Sequence, residues 1–472
     1  VLDPASAALR YNLGLLLHQV GDLDGAEAHY RHALSLEPSR SDMQSSLLCL
    51  HDFRQGGSRQ ANFEAHRDWA RQWVDPLGAD PLGEGAGFSP VDRDPERKLR
   101  VGYLSPDFGS HVIGGFLAPL LDHHNADRFE TFCYSCAGRD GPLRERLVGA
   151  AAHWRDLDGL DDAAAAAAIR ADGIDILVDL AGHSGGNRLA VVARRPAPLL
   201  MTWMGYLNTT GMQAMDYRIC DWGSDPSGAE RWHRERLLRL PHPQWCYERA
   251  VDADVDDTVA TSKRQGLGVR FGCATRFTKL NDAVLALWIR ILRAVDGATL
   301  SIIDVPDHPR ADRLKARLAE AGMAGRVVLL PTLGGPAYWD YLASLDIALD
   351  PFPYTGATTT FDCLWMRAPV VTLAGDCGSA RSAASIAAEM GLGELVAHDG
   401  DEYVAVAVRL AADPARLAAI KQGLRARMRQ SACCDPARFT ANLEGLYRQA
   451  WAAWCEGGAM VEQHPPGRGG GA

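Results

Sequence analysis

Two successive series of short apolar runs constrain the fold of this chain more than any other feature. The runs are rich in β-branched residues and alternate with Ala-rich helical windows, as expected of parallel βαβ units. The first series predicts strands at Leu99–Leu104, Phe129–Tyr134, Ile176–Leu180, Leu199–Met204, Tyr217–Cys220 and Leu237–Leu240. The second predicts strands at Val269–Ala274, Thr299–Ile303, Val327–Leu330, Ile347–Leu349, Val370–Leu373 and Leu395–Ala397. We therefore expect two doubly wound α/β lobes, with ligands in the cleft between them, beyond the carboxyl ends of the strands.

The start of the chain shows a helical repeat instead. Asp3-Pro4 recurs as Glu37-Pro38 after 34 residues, which is the period of a tetratricopeptide unit. The small and packing residues of such a unit stand at Leu13, Gly14, Gly21, Ala26, Tyr30 and Ala33. One unit cannot bury its apolar face alone, so it must stack on further repeats or on the next domain. The start of the chain within this pattern predicts more repeats before Val1.

These patterns divide the chain into four segments. Residues 1–90 are predicted to be a tetratricopeptide-type and helical region, and residues 97–256 and 257–456 the two lobes. The Gly- and Pro-rich residues 457–472 are predicted to be a disordered tail. The Pro- and Gly-rich residues 76–90 are the clearest linker, and residues 241–256 are expected to join the lobes.

Composition excludes several classes of protein. The net charge of -10 and the lack of a long basic run disfavour nucleic acid as a partner. No run of 18 apolar residues and no signal peptide are visible, so we expect a cytoplasmic protein that does not act at a membrane. The eleven cysteines are scattered and odd in number, which predicts reduced thiols. Cys133 and Cys136 have the spacing of a redox motif, but they follow a strand rather than open a helix, so two buried strand cysteines are the simpler interpretation.

Two Gly-containing loops of the first lobe follow strands and carry a histidine each. Residues 105–115 include His111, and residues 179–188 include His183. Glycine-rich turns present backbone N–H groups at a helix start, where anions are stabilised, and histidine exchanges protons near neutral pH. These features indicate a functional edge of the sheet. For His183, a purely structural role in capping its turn is an open alternative.

The second lobe contains the most informative segment, which leaves a strand at Asp350 and opens a helix after Ala357. Thr358, Thr359 and Thr360 stand where that helix begins, so their hydroxyls and backbone N–H groups can bind a diphosphate, although ordinary N-capping is the alternative. One turn into the helix, Asp362 is suited to the hydroxyls of a ribose.

Two cations, Arg276 and Lys279, follow the first strand of the second lobe and can neutralise a departing diphosphate. The alternative is that they are solvated surface residues. No Asp-x-Asp pair and no His/Cys/carboxylate set with metal-ligand spacing accompanies these loops, so we expect chemistry without a metal.

The run Arg100-Val101-Gly102-Tyr103-Leu104-Ser105-Pro106-Asp107-Phe108-Gly109-Ser110-His111 carries a resemblance to a known family. Further matching stretches follow in order at Arg195–Pro198, Trp203–Tyr206, Thr209–Gly211, Met215–Tyr217 and Gly356–Trp365. Together with the repeat ahead of them, they resemble the O-linked N-acetylglucosamine (O-GlcNAc) transferases over roughly residues 97–455. The short connection between Tyr247 and Val269 resembles bacterial members of that family.

The resemblance implies an α/β GT-B fold, in which two Rossmann-like, doubly wound lobes follow an all-α tetratricopeptide-type region. It assigns catalysis to the N-terminal lobe and UDP-sugar binding to the C-terminal lobe. It also implies an inverting transfer of N-acetylglucosamine from UDP-GlcNAc to Ser or Thr hydroxyls of proteins, with no metal and no cofactor besides the donor. Protein or peptide acceptors are expected along the tetratricopeptide region.

Individual residues acquire roles from the same resemblance. Catalytic roles fall to His111, a candidate base, to Asp172, a candidate for proton handling, and to Lys279, which contacts the diphosphate. Donor contacts are expected from Arg276, Lys279, Leu333, Tyr338, Thr358, Thr359, Asp362, Gly205 and His183.

The sequence also departs from the family pattern. Ala357 and Gly335 replace a histidine and a lysine of animal members, and Arg276 and Tyr338 replace a glutamine and a histidine near the nucleotide. Two alternatives therefore stay open. One is a related protein N-glucosyltransferase that uses UDP-glucose on asparagine, and the other is a repeat scaffold that binds a nucleotide without catalysis.

Overall fold

The computed structural model describes residues 6–78, 92–138, 140–248, 268–457 and Gln463. The chain forms two compact units. Unit 1 comprises residues 1–39, 50–56 and 249–431, and unit 2 comprises residues 40–49, 57–248 and 432–472. Each contains one parallel sheet and part of the N-terminal helical region. Most of the predicted linker, the end of the predicted connection between lobes and nearly all of the predicted tail lie outside the described residues.

The described helices and strands alternate after an all-helical start. The helices are α1 (Ala7–Gln19), α2 (Leu23–Leu36), α3 (Ser41–His51), α4 (Arg59–Trp73), α5 (Val112–Leu121), α6 (Pro142–Ala150), α7 (Asp162–Ala171), α8 (Leu189–Ala193), α9 (Asp282–Ala294), α10 (Pro309–Glu320), α11 (Gly335–Ser344), α12 (Thr358–Trp365), α13 (Ser382–Glu389), α14 (Gly400–Ala411), α15 (Pro414–Gln430) and α16 (Pro436–Cys455). The strands are β1 (Leu99–Ser105), β2 (Phe129–Ser135), β3 (His153–Asp156), β4 (Ile176–Asp179), β5 (Leu199–Trp203), β6 (Tyr217–Asp221), β7 (Arg236–Leu240), β8 (Arg270–Cys273), β9 (Thr299–Ile302), β10 (Val327–Leu329), β11 (Ile347–Leu349), β12 (Val370–Leu373) and β13 (Val396–Ala397).

The sheet of unit 2 is seven-stranded, with the order β3-β2-β1-β4-β5-β6-β7 and parallel neighbours throughout. Six of these strands confirm the predicted series. The seventh, β3, corrects the expected number: it is a short edge strand with mostly exposed side chains, so it lacks the apolar run on which strand prediction depends. Strands β1, β4 and β5 are almost wholly buried, as expected for a parallel sheet covered on both faces.

The sheet of unit 1 is six-stranded and parallel, with the order β10-β9-β8-β11-β12-β13. Its strands confirm the second predicted series. Helix α9 packs against α14 with an apolar face that includes Trp288, whose indole N–H donates to the hydroxyl of Tyr403 on α14 at 3.1 Å. That hydroxyl donates in turn to the carbonyl oxygen of Asp350 at 3.0 Å, which fixes the end of β11.

Helices α1 and α2 form the hairpin that the 34-residue period predicts. Gly14 is required at their crossing, because a Cβ there would lie 2.6 Å from the ring of Tyr30. Ala26, Tyr30 and Ala33 are fully buried on the facing side of α2. Gly21 makes the turn between the helices with a φ of +76°, a conformation that favours glycine.

Helix α16 follows the chain's return to unit 2. Its N-terminus is capped by Asp435, whose side chain accepts the Arg438 N–H, and Pro436 occupies the first helical position. Tyr447 and Trp451 on this helix are fully buried. In the segment predicted to be a tail, the Gln463 side chain accepts the backbone N–H of Arg239 at 2.7 Å.

All eleven cysteines lie within the described residues, and none of them forms a disulfide. Burial raises the pKa of the Cys133 thiol well above its usual range and the pKa of Cys136 to about 12, so neither has the thiolate character that a redox site requires. Among the described helices, none is both long and apolar enough to cross a membrane.

Candidate active site

Both sheets contain a crossover point at which ligands bind in folds of this kind. In unit 2 it lies between β1 and β4, and in unit 1 between β8 and β11, since the chain extends outward from these strands in opposite directions. In unit 1, the loops that follow β8 and β11 line a small pocket. Cys273, Thr275, Asp350, Thr359 and Thr360 are among its lining residues.

Asp350 organises the loop that follows β11. Its buried carboxylate accepts the backbone N–H of Gly356 at 2.9 Å and the hydroxyl of Thr372 at 2.8 Å. Burial raises the pKa of Asp350 to about 6, although the nearby Lys279 acts in the opposite direction. The Asp350 carboxylate therefore ties the start of the loop to Gly356 near its end, and it interacts electrostatically with Lys279.

Lys279 ends a short 3-10 turn, Phe277–Lys279, that follows β8. Its ammonium group donates to the carbonyl oxygen of Thr355 at 2.8 Å and lies 4.6 Å from the ring centroid of Tyr354. Burial lowers the pKa of Lys279 to about 8, with Asp350 opposing this shift and Arg276 adding to it. Because its ammonium is only partly hydrated, binding an anion there would stabilise the charged form.

Helix α12 begins at Thr358, and its N-cap residue, Ala357, has no side chain that can cap it. The alternative of ordinary N-capping by threonine is therefore not what the structure shows at this end. An uncapped helix N-terminus presents backbone N–H groups and a partial positive charge, which suits a phosphate. Among the described residues, the buried hydroxyl of Thr360 is one of the polar groups without a hydrogen-bond partner.

Gly356 permits the close approach of this loop and helix. A Cβ at Gly356 would lie 2.7 Å from the hydroxyl oxygens of Thr359 and Thr360, and 3.1 Å from a carboxylate oxygen of Asp350. These three side chains therefore converge on one glycine, which explains why the segment needs glycine at this position.

Asp362 lies one turn into α12 and is buried. The hydroxyl of Tyr338, on α11, donates to its carboxylate at 2.9 Å. Burial and the neighbouring Asp362 raise the pKa of Tyr338 above its usual range, so the phenol keeps its proton. Leu333 is half-buried in the loop before α11, and Arg276 is exposed at the start of the Lys279 turn. Unit 1 thus gathers the predicted donor residues at one edge of its sheet, except Gly205 and His183.

In unit 2, His111 caps the N-terminus of α5 after β1. Its Nδ1 accepts the backbone N–H of Ile113 at 3.4 Å and lies 3.6 Å from the carboxylate of Asp107. The side chain is 30% exposed, which leaves the ring accessible at the carboxyl edge of the sheet.

Asp172 lies elsewhere in the same unit. It caps the C-terminus of α7 and precedes β4, so it belongs to the amino edge of the sheet, opposite to His111. Its carboxylate accepts two hydrogen bonds from Arg155, at 2.5 and 3.0 Å, and one from the hydroxyl of Tyr134 at 2.8 Å. These partners fix the carboxylate within the fold, and the structure does not bring it together with His111.

His183 and Gly205 also have structural surroundings. The His183 ring is buried, with Nδ1 3.0 Å from the hydroxyl of Ser45 and Nε2 3.0 Å from the carbonyl oxygen of Thr210. Burial lowers its pKa to about 4, so the ring is neutral at pH 7. A Cβ at Gly205 would lie 1.8 Å from the carbonyl oxygen of Leu180, so this glycine allows two backbones to touch.

Sequence reasoning did not assign site roles to Asp350, Tyr354 or Thr355, although they surround Lys279. One signal was present: in both sheets an Asp at the end of a strand is followed by a glycine turn, and a Thr occurs in the next strand. Asp179 pairs with Thr202 in the register of β4 and β5. In β11 and β12 the last paired residues are Leu349 and Val371, so Asp350 and Thr372 stand one position further along the same two strands. The contacts of Tyr354 had no such signal, because they depend on tertiary packing.

Two doubly wound parallel sheets in succession define the GT-B fold class. The chain belongs to glycosyl transferase family 41, whose sequence profile matches residues 86–251 and 255–443.

Several relatives agree with this assignment. The "Probable UDP-N-acetylglucosamine--peptide N-acetylglucosaminyltransferase SPINDLY" of Solanum lycopersicum is 36% identical over 434 residues, which cover 90% of this chain and 46% of the relative. The "UDP-N-acetylglucosamine--peptide N-acetylglucosaminyltransferase" of Caenorhabditis elegans is 24% identical over 81% of this chain and 43% of its own length. This chain thus spans about half the length of these relatives.

A solved structure supports the fold directly. A mutant of Thermobaculum terrenum O-GlcNAc transferase superimposes with a TM-score of 0.88 and 36% identity, over 97% of this chain and 86% of that chain. The predicted GT-B fold behind a helical region is therefore confirmed.

Proposed function

We propose that this chain transfers N-acetylglucosamine from UDP-GlcNAc to Ser or Thr hydroxyls of proteins, with inversion and without a metal. Membership of glycosyl transferase family 41 and the names of the relatives support this reaction. The observation that carries it is the half-buried Lys279 beside the uncapped start of α12, because that pair suits a diphosphate.

In the proposed reaction, the oxygen of an acceptor hydroxyl forms a bond with the anomeric carbon while the bond from that carbon to the diphosphate breaks. The hydroxyl proton passes to a base, and the electron pair of the broken bond leaves with UDP. Lys279, Arg276 and the N–H groups at Thr358 and Thr359 would stabilise the departing charge. Preorganised donors of this kind contribute about 3 to 4 kcal/mol each, whereas a general base contributes roughly 10²- to 10⁴-fold in rate. Several donors acting together on the leaving group therefore lower the barrier more than the base does.

The nucleoside is proposed to lie along α11 and α12. Asp362 would accept hydrogen bonds from the ribose hydroxyls, and the hydroxyl of Tyr338 would orient its carboxylate. Leu333 and the ring of Tyr338 would contact the base. Ala357 and Gly335 contribute no side-chain contact where animal members have a histidine and a lysine.

His111 is the proposed proton acceptor, since its ring is accessible at the carboxyl edge of its sheet. We assign no part in proton transfer to Asp172, because Arg155 and Tyr134 occupy its carboxylate. His183 and Gly205 are likewise proposed to support the fold rather than to touch the donor.

Acceptor proteins are proposed to bind along the tetratricopeptide-type region of residues 1–90. The 34-residue period and the α1–α2 hairpin support that assignment. We further propose that the chain is a bacterial member of its family and that its acceptors are cytoplasmic proteins.

The test is incubation of the protein with radiolabelled UDP-GlcNAc, EDTA and a host lysate. We expect labelled proteins whose label is released by β-elimination, as an O-linkage to Ser or Thr requires. Loss of labelling in EDTA that is restored by Mg²⁺ or Mn²⁺ would contradict the metal-free reaction. Label from UDP-glucose that resists β-elimination would favour the N-glucosyltransferase. UDP binding without transfer would favour the scaffold, and transfer only from a guanosine diphosphate sugar would contradict the proposed donor.

A further inference from the structure

We propose that Phe53, in the N-terminal helical region, is a positioning residue for Lys279: its ring holds Tyr354 against the lysine and so sets the lysine for a diphosphate. This inference rests on the proposed donor site. It extends that site to a residue more than 200 positions away in the sequence, which no resemblance had implicated.

The contact runs through two aromatic rings. Phe53 and Tyr354 are stacked, with ring centroids 4.6 Å apart and an interplanar angle of 18°. The Lys279 ammonium lies over the Tyr354 ring, 4.6 Å from its centroid, which is within the range of a cation–π interaction. The Lys279 ammonium also donates to the carbonyl oxygen of Thr355, the residue after Tyr354. Movement of Tyr354 would therefore disturb both contacts of the lysine.

Phe53 is itself held firmly by the helical hairpin. The neighbouring Arg54 donates to Glu27 and to the carbonyl oxygen of Leu23 at 3.4 Å, and it pairs with Asp24 at 2.9 Å. The ring of His18 contacts Phe53 edge-on, with centroids 5.1 Å apart and an interplanar angle of 86°. Phe53 is thus part of the α1–α2 hairpin in its packing, although it follows α3 in the chain.

The same hairpin contacts the turn that carries Lys279. The hydroxyl of Thr278 donates to the carbonyl oxygen of His18 at 2.6 Å, and Arg310 donates to the carbonyl oxygen of Val20 at 3.0 Å. A Cβ at Gly21 would lie 1.9 Å from Arg310 and 3.0 Å from the Cα of Thr278. The hairpin therefore fixes the lysine turn on one side and, through Phe53, the Tyr354 loop on the other.

Several charged or titratable groups surround Lys279. Asp350 favours its charged form, whereas burial and the exposed Arg276 disfavour it, and Cys273 has a small effect in the same sense as Asp350. His18 contributes no charge at pH 7, because burial and Arg276 lower its pKa to about 4. Burial is the largest of these influences on the pKa of Lys279. Removing the ring of Phe53 would release Tyr354 and admit water to the ammonium.

The experiment measures the titration of Lys279 without any nucleotide. The chain has five lysines, so ¹³Cε-lysine labelling gives a simple NMR spectrum in which Lys279→Arg assigns the signal. In Phe53→Ala we expect the pKa of Lys279 to rise from about 8 towards the ordinary lysine value of about 10.4. Phe53→Tyr should keep the wild-type pKa, because the stacked ring is retained.

UDP affinity at pH 7, measured by isothermal titration calorimetry, is the second readout. We expect Phe53→Ala to weaken it by roughly fivefold and Phe53→Tyr to leave it near wild type. Leu16→Ala is the matched control, since Leu16 is exposed on α1 and its loss should change neither quantity. Phe53→Leu keeps the apolar volume without the ring, and it should shift the pKa in the same direction if Phe53→Ala does not fold.

The outcomes separate this inference from the proposed function. An unchanged Lys279 pKa in folded Phe53→Ala and Phe53→Leu would overturn the positioning role of Phe53, whatever the UDP affinity of these variants. If Lys279→Ala binds UDP as the wild type does, the proposed donor site fails instead, while the NMR result still decides whether Phe53 positions the lysine.

Discussion

Asp179 and Asp350 occupy equivalent positions in the two sheets. Asp179 is the last residue of β4, which pairs with β1 across the crossover point of unit 2, and Asp350 directly follows β11, which pairs with β8 across the crossover point of unit 1. Each carboxylate is buried, accepts the N–H of a glycine (Gly182 or Gly356) and accepts the hydroxyl of a Thr from the next strand. Burial raises the pKa of both to about 6. The two loops are therefore built on one local design.

The surroundings of the two loops differ. In unit 2 the loop after Asp179 is filled: a Cβ at Gly182 would lie 2.4 Å from the side chain of Tyr206, and His183 packs at ring-centroid distances of 4.4 Å from Trp69 and 5.3 Å from Tyr206. In unit 1 the loop after Asp350 borders a pocket, and Lys279 faces the carboxylate. The shared design thus fixes a loop in both units, and in unit 1 the neighbouring pocket and cation suit the proposed diphosphate.

The largest effect that separates the two loops is expected for Gly205→Ala. Its new Cβ would meet the backbone carbonyl of Leu180, which cannot swing aside, so unit 2 should lose at least about 3 kcal/mol of stability. Thermal unfolding followed by circular dichroism measures this. Gly185→Ala is the control, because nothing lies within 4 Å of a Cβ at Gly185. Equal melting temperatures for the two variants would contradict a structural role of Gly205.

In unit 1, Gly356→Ala should weaken UDP binding while leaving the stability of the fold largely unchanged. Its Cβ would meet the far ends of the Thr359 and Thr360 side chains, which can move, so the fold should survive while the cradle is distorted. We expect UDP affinity to fall about tenfold, which corresponds to roughly 1.4 kcal/mol. Calorimetry of UDP binding is the measurement, with Gly393→Ala as the control because a Cβ there has open space. A variant that binds UDP normally would place the nucleotide elsewhere.

A smaller effect is expected from pH. The pKa of Lys279 is lowered to about 8, and a bound diphosphate would raise it, so the complex holds a proton that the free protein begins to lose near pH 7 and has half lost at pH 8. UDP affinity should therefore fall about twofold from pH 7 to 8 and more steeply as pH rises further, by at most about tenfold per pH unit. Lys279→Arg keeps its charge and should show no decline over that range. The same decline in Lys279→Arg would assign the titration to another group.

Strand positions and the start of helix α12 could be predicted from the sequence because both depend on local pattern. Parallel strands such as β1 and β4 are continuous apolar runs, and the start of helix α12 is marked by its threonines. The exposed strand β3 has neither signal. The period of the repeat likewise predicted Gly14 as a small residue and Tyr30 as a packing residue of the hairpin, whereas their direct contact is a finding of the structure.

The surroundings of the two histidine loops could not be predicted. In sequence, the loops with His111 and His183 look alike, since each joins a strand to glycines and a histidine. The difference lies in partners distant along the chain: Ser45 is 138 residues from His183, and Thr210 is 27 residues from it. The contact of Phe53 with Tyr354 has the same origin, since stacking between separate segments leaves no periodic trace in either.

The measurement that tests the central claim most directly compares Lys279→Ala with Lys315→Ala. Lys315 is an exposed lysine that pairs with Asp312, so it is a matched charge deletion away from the pocket. UDP affinity by calorimetry should fall more than about tenfold in Lys279→Ala, and transfer of labelled N-acetylglucosamine about 10²- to 10³-fold, with Lys315→Ala near wild type. Affinity and transfer both within about twofold of wild type in Lys279→Ala would contradict the assignment of this cradle to the donor diphosphate.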